Sequence, residues 1–166
     1  RLFLPNVDVA SIKMIDDLVS RYPENCIAMA GLHPCDVKDD YQSQLATIYQ
    51  SIANRKIYAI GEIGIDLYWD KTTLAIQQDA FRQQINWAKD LNLPFVIHCR
   101  EAFDEVFDVL EELKDEKLRG IFHCFTGNLE QAQRAINLGF YLGIGGVVTY
   151  KKAGLDLVLA QIPIPV

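Results

Sequence analysis

None of the four cysteines, Cys26, Cys35, Cys99 and Cys124, stands in a C-x-x-C pair. With half of its 166 residues hydrophobic, the chain has material for one packed core and no need of disulfide staples, so reduced thiols in a cytoplasmic protein are expected. Positive charge is also scarce: 16 Lys and Arg stand against 22 Asp and Glu, a formal net charge of -6. That balance excludes a protein holding nucleic acid on a broad basic surface. If a phosphodiester is met at all, the positive charge must be local, from bound metal ions and a few Arg or Lys side chains. There is no apolar run of membrane-spanning length, no basic-then-apolar leader, no low-complexity stretch, no repeat beyond the level of single elements and no linker. A single domain over residues 1–166 is expected. No Met opens the chain, and both ends read as cuts through strands.

What is there is an alternation. Short apolar runs occur at Leu2 to Leu4, Cys26 to Leu32, Ile57 to Ile60, Pro94 to Ile97, Gly120 to Phe122 and Phe140 to Leu142. Continuous rather than alternating hydrophobicity predicts strands buried on both faces, as in a parallel sheet. Between them run amphipathic stripes: Ile12, Ile15, Leu18, Val19 and Tyr22; Leu45, Ile48, Tyr49 and Ile52; Phe81, Ile85 and Ala88; Phe103, Val106, Phe107, Leu110 and Leu113; Leu129, Ala132 and Ile136. Asp8, Thr72 or Thr73, and Asn128 are candidate helix caps. The pattern predicts an α/β fold of βα units with a parallel sheet, either open and doubly wound or part of a barrel.

Polar placement chooses between them. Gly61 leads into Glu62, Ile97 into His98, Phe122 into His123, and Leu32 into His33, so all three histidines follow an apolar run. In a barrel the carboxyl ends of the strands converge on one rim, where sites are built. A carboxylate and imidazoles converging there suit Zn, Mn or Mg. One such residue alone is more often a satisfied loop polar group; several at equivalent positions make a site the better reading.

Five blocks then resemble one family. Gly61-Glu62-Ile63-Gly64-Ile65-Asp66 looks like the G-E-I/T-G-L-D motif of the TatD family of metal-dependent deoxyribonucleases. Ile97-His98-Cys99-Arg100-Glu101-Ala102 is similar to its I/V-H-S/C-R-x-A motif, and His123-Cys124-Phe125-Thr126-Gly127 to its H-C/S-F-S/T-G motif. Gly31-Leu32-His33-Pro34 resembles G-x-H-P, and Gly139 to Gly143 with Gly146 and Thr149 resembles a late G-Y/F-Y segment. The resemblance implies a TIM-like (β/α) barrel, with about six of eight βα units in this chain. It implies one or two divalent metal ions (Mg, Mn or Zn) held by Glu62, His98 and His123, with Glu62 bridging. DNA would be the substrate, with phosphodiester bonds cleaved by a metal-activated water. Arg100, His33 and Thr126 would touch that substrate through a small contact, in a protein that does not meet a membrane and is monomeric when full length. The family's opening H-x-H and closing T-D-x-P segments are absent here, so two further histidines and the general-base aspartate would lie outside this chain.

Three readings stay open at this point: the deoxyribonuclease, another amidohydrolase-like barrel cutting a C–N or ester bond, and an inactive barrel used for binding. Arg100 is read either as a phosphate clamp or as a partner of Glu101 or Asp104. Cys99 and Cys124 read as core thiols facing away from the site. Tyr68 and Trp69 would stack on a base or pack on their own helix.

Overall fold

The apolar runs become strands and the stripes become helices, in alternation. In this computed structural model, which describes residues 1–163, the order is β1 (Leu2–Leu4), α1 (Ser11–Arg21), β2 (Cys26–Ala28), α2 (Tyr41–Ile52), β3 (Ile60–Asp66), α3 (Leu74–Asp90), β4 (Phe95–Arg100), α4 (Phe103–Glu112), β5 (Gly120–Phe122), α5 (Leu129–Asn137) and β6 (Phe140–Leu142). A short α6 (Leu155–Leu159) follows two 3₁₀ turns. The expected strand near Ile164 and Val166 lies outside the described residues.

All strand pairs are parallel: β1 with β2, and β3 with β4, β5 and β6 in turn, the two ladders joined by a bridge from Ala30 to Ile60. Neighbours in space are therefore neighbours in sequence. A doubly wound sheet reverses its order at a switch point, whereas a barrel never does. The chain is an arc of a TIM-like barrel.

Helices cover the sheet through the stripes expected of them. Leu45 and Ile48 of α2, Phe81 and Ile85 of α3, and Val106, Phe107 and Leu110 of α4 are fully buried. Burial of each such side chain contributes roughly 1.5–3 kcal/mol. Phe95, Phe103, Phe107, Phe122, Phe125 and Phe140 pack as one aromatic cluster under β4 to β6. Asn128 caps α5 in a capping box with Gln131. Ala10, not Asp8, holds the cap position of α1, while the Asp8 carboxylate accepts from the Ser11 N–H at 2.8 Å from one turn earlier.

Three further expectations need correction. The third strand begins at Ile60, not Ile57, and runs to Asp66, so Glu62 sits inside it. Glycines at 61 and 64 depress strand propensity, yet close packing selects them: a Cβ on Gly64 (φ +143) would stand 2.0 Å from the His98 carbonyl oxygen. The α1 stripe is only partly covered, with Ile15 buried but Leu18 and Tyr22 exposed. Thr73 precedes α3 without capping it; its hydroxyl accepts from Gln77 Nε2 instead.

Candidate metal centre

Period-two alternation along β3 puts Glu62, Gly64 and Asp66 on one face. Parallel register then sets Gly64 beside His98 and Asp66 beside Arg100 on β4. Missing a side chain at Gly64 lets the β4 backbone come close, and the His98 ring settles between the two carboxylates. Its Nε2 lies 2.8 Å from Asp66 Oδ2 and its Nδ1 lies 3.5 Å from Glu62 Oε1. His123, just past β5, reaches the same oxygen, with Nδ1 2.7 Å from Glu62 Oε1. His33, just past β2, packs edge-on to His98 with ring centroids 4.4 Å apart.

The four side chains thus meet in one place, Glu62 and His98 from inside β3 and β4 rather than at their ends, and His33 and His123 from beyond β2 and β5. Ligand atoms of His33, Glu62 and His98 all lie within 4.8 Å of one another, and His123 joins through Glu62. Thr126 is exposed in the loop three residues past His123, and no hydrogen bond of its side chain is seen among the described residues. Arg100 is exposed as well. Its guanidinium sits over the Tyr68 ring, 3.6 Å from the centroid, while Asp104 pairs with Arg134 instead.

Asp66 has a role the sequence patterning does not assign. When its carboxylate accepts the Nε2 proton of His98, a neutral His98 presents a bare Nδ1 to Glu62 Oε1. Two acceptors facing each other repel unless a cation lies between them. A proton on Nδ1 or a divalent cation satisfies both. Burial pushes the His98 pKa down, but its hydrogen bonds to the Glu62 and Asp66 carboxylates outweigh burial and raise it. Burial likewise pushes Glu62 up, yet His98 and His123 more than offset it and hold the carboxyl at about 2. Asp66 is lowered for the same reason, burial being overcome by His98 and the Tyr68 N–H. The donor set, an ionised carboxylate with imidazoles around it, fits a divalent cation.

His33 differs. Burial, and then the charge of His98, lower its pKa to about 4, so it is a neutral imidazole. Its Nδ1 accepts from the Cys35 N–H at 3.2 Å, which leaves the proton of the neutral ring on Nε2 as a donor.

Two buried glutamines of α3 hold this rim from behind. Gln77 accepts from the Asp66 N–H (2.8 Å) and donates to the Asp66 carbonyl (3.0 Å). Gln84 does the same to Leu32, the residue before His33, at 2.7 and 3.2 Å. Their signal is positional: Gln77 and Gln84 lie four before Phe81 and one before Ile85, inside the apolar stripe where a polar residue needs a partner.

Cys99 packs on the core, as expected, and burial lifts its thiol to about 12. Cys124 does not. β5 stops at Phe122 and Cys124 takes a left-handed φ of 46, so alternation ends and the thiol is exposed, 3.4 Å from His123 Nε2. An apolar groove of about 570 Å³ beside β6, lined by Ile136, Phe140, Leu142, Leu159 and Ile162 among others, holds no carboxylate, amine or imidazole and none of the residues of this centre.

Known proteins resemble this chain in sequence and fold. Residues 1–165 match the profile of the family described as TatD related DNase. A Bacillus subtilis protein named uncharacterized metal-dependent hydrolase YabD is 40% identical over 92% of this chain and 60% of its own. The Escherichia coli K12 protein named 3'-5' ssDNA/RNA exonuclease TatD is 34% identical over 84% of this chain and 54% of its own. The crystal structure of YJJV, a TatD homolog from Escherichia coli K12, superposes with a TM-score of 0.90 at 30% identity, over 98% of this chain and 63% of that one. The chain spans three fifths or less of the curated relatives named here.

Proposed function

This chain belongs to the TatD related DNase family, whose relatives include proteins named metal-dependent hydrolases, and on that premise we propose that the full protein hydrolyses phosphodiester bonds in DNA. The observation that carries the reading is Glu62 Oε1, approached by both His98 and His123 within a barrel rim. Glu62, His98 and His123 would hold a divalent ion, Mg, Mn or Zn, with His33 beside them. Such an ion supplies Lewis acidity to a phosphoryl oxygen and lowers the pKa of a water.

The chain's own residues do the rest. Asp66 fixes the His98 ring through Nε2 and leaves Nδ1 free to ligate. His33, neutral at pH 7, donates from Nε2 to an anionic oxygen. Arg100 carries an unpaired guanidinium at the rim that suits a phosphate better than a neutral amide. The general base lies outside this chain.

The test is a substrate panel with the full-length protein: a DNA oligonucleotide, a carboxylic ester and a cyclic amide, each with and without chelator. Chelator-sensitive cleavage of the oligonucleotide alone is expected. Cleavage of the amide or ester instead would replace the reading with a C–N or carboxylic ester hydrolase.

A further inference from the structure

Trp69 is the most exposed large hydrophobic side chain among the described residues, at 73%. A tryptophan left this open loses the benefit of burial unless something covers it in function. Tyr68 meets it edge-on with ring centroids 4.8 Å apart, and Arg100 lies over both rings, 3.6 Å from Tyr68 and 5.7 Å from Trp69. The three form a corner of aromatic wall and cationic floor. No carboxylate pairs with Arg100 among the described residues, so its charge is free for a ligand.

The corner is wired to the metal centre. The Tyr68 N–H donates to Asp66 Oδ1 at 3.0 Å, and Asp66 Oδ2 accepts from His98. The Leu67 N–H donates to the Arg100 carbonyl at 3.0 Å, tying loop to strand. One imidazole ring, that of His98, stands between Asp66 and Glu62, so the corner adjoins the place where a phosphodiester would be cut.

We propose that Trp69, with Tyr68 and Arg100, is a nucleobase-stacking platform that grips an unpaired nucleotide next to the scissile phosphodiester. The inference rests on the phosphodiesterase reading above. An aromatic face beside an unpaired guanidinium is what a single-stranded nucleic acid uses: the ring takes a base of any identity and the cation takes backbone charge. A paired base in a duplex has no free face to offer, so the platform selects single strands and frayed ends.

The experiment uses the full-length protein. Trp69→Ala raises KM for a single-stranded oligonucleotide about tenfold and leaves kcat within about twofold, while Trp69→Phe keeps most of the binding. Abasic spacers at the terminal nucleotides raise the wild-type KM by a similar factor and erase the difference between wild type and Trp69→Ala. An equal loss on abasic and base-bearing strands, or no loss on either, overturns the proposal. A second arm works in excess chelator, where nothing is cut: the oligonucleotide quenches tryptophan emission, and the quench is absent with the abasic strand and in Trp69→Phe. If wild type cuts no oligonucleotide with Mg, Mn or Zn yet shows this quench, the phosphodiesterase reading falls and the platform stands. Absence of the quench overturns the platform.

Discussion

Replacing Asp66 with Asn keeps the shape of the side chain and removes its charge, so it isolates what that charge does for His98. Asp66 is 3% exposed and spends one oxygen on His98 Nε2 (2.8 Å) and the other on the Tyr68 N–H (3.0 Å). An asparagine has one acceptor, so one of those two donors must face an NH₂ group. A hydrogen bond to a charged partner is worth roughly 1.5–3 kcal/mol. At 1.4 kcal/mol per factor of ten, loss of that bond at His98 lowers affinity for the divalent ion about 10- to 100-fold. The assay is calorimetric titration of the chelator-stripped, full-length protein with Zn or Mn, wild type against Asp66→Asn. Circular dichroism of the two proteins should match. Affinity unchanged within about twofold in a folded variant would refute the positioning role of Asp66.

Three further outcomes follow from the same geometry. Gln77→Leu leaves the buried Asp66 N–H and carbonyl without partners, at roughly 1–3 kcal/mol each, so urea denaturation should show a loss of about 2–5 kcal/mol; a loss below ~1 kcal/mol would contradict it. Gly64→Ala drives a methyl into the His98 carbonyl and should cost at least ~3 kcal/mol along with metal binding, measured by thermal melting and metal titration. In the metal-free protein, burial raises the Glu62 pKa but its histidine bonds hold it at about 2 against an ordinary 4.5. A depressed carboxylate stabilises fully above its unfolded pKa, so this contribution should vanish as pH falls from 4.5 toward 2, and Glu62→Gln should flatten that part of the stability profile.

Much of this arrangement is readable from residue order because burial on both faces leaves a strong mark. β1, β5 and β6 fall where their apolar runs predict, and α4 is declared by Phe103, Val106, Phe107 and Leu110. Glu62, His98, His123 and His33 are visible because each interrupts or ends such a run. What escapes is what depends on contact between elements. The β3 boundary is hidden because Gly61 and Gly64 weaken the strand signal while serving the approach of β4. Gln77 and Gln84 stand out as polar residues in the apolar face of α3, but their backbone partners at Asp66 and Leu32 are set by contact between elements. Asp66 shares a face with Glu62 by simple alternation, but its role emerges only with His98 across the register. The exposure of Cys124 follows from a single left-handed residue that no pattern announces.

The most direct test of the whole account is metal reconstitution of the stripped full-length protein, followed by oligonucleotide hydrolysis in wild type and in Glu62→Gln. Wild-type activity should return in proportion to added Mn or Zn, and Glu62→Gln should stay at least ~10²-fold lower at the same metal concentration because the anionic oxygen shared by His98 and His123 is gone. Full activity in Glu62→Gln, or wild-type hydrolysis that persists in excess chelator, would contradict it.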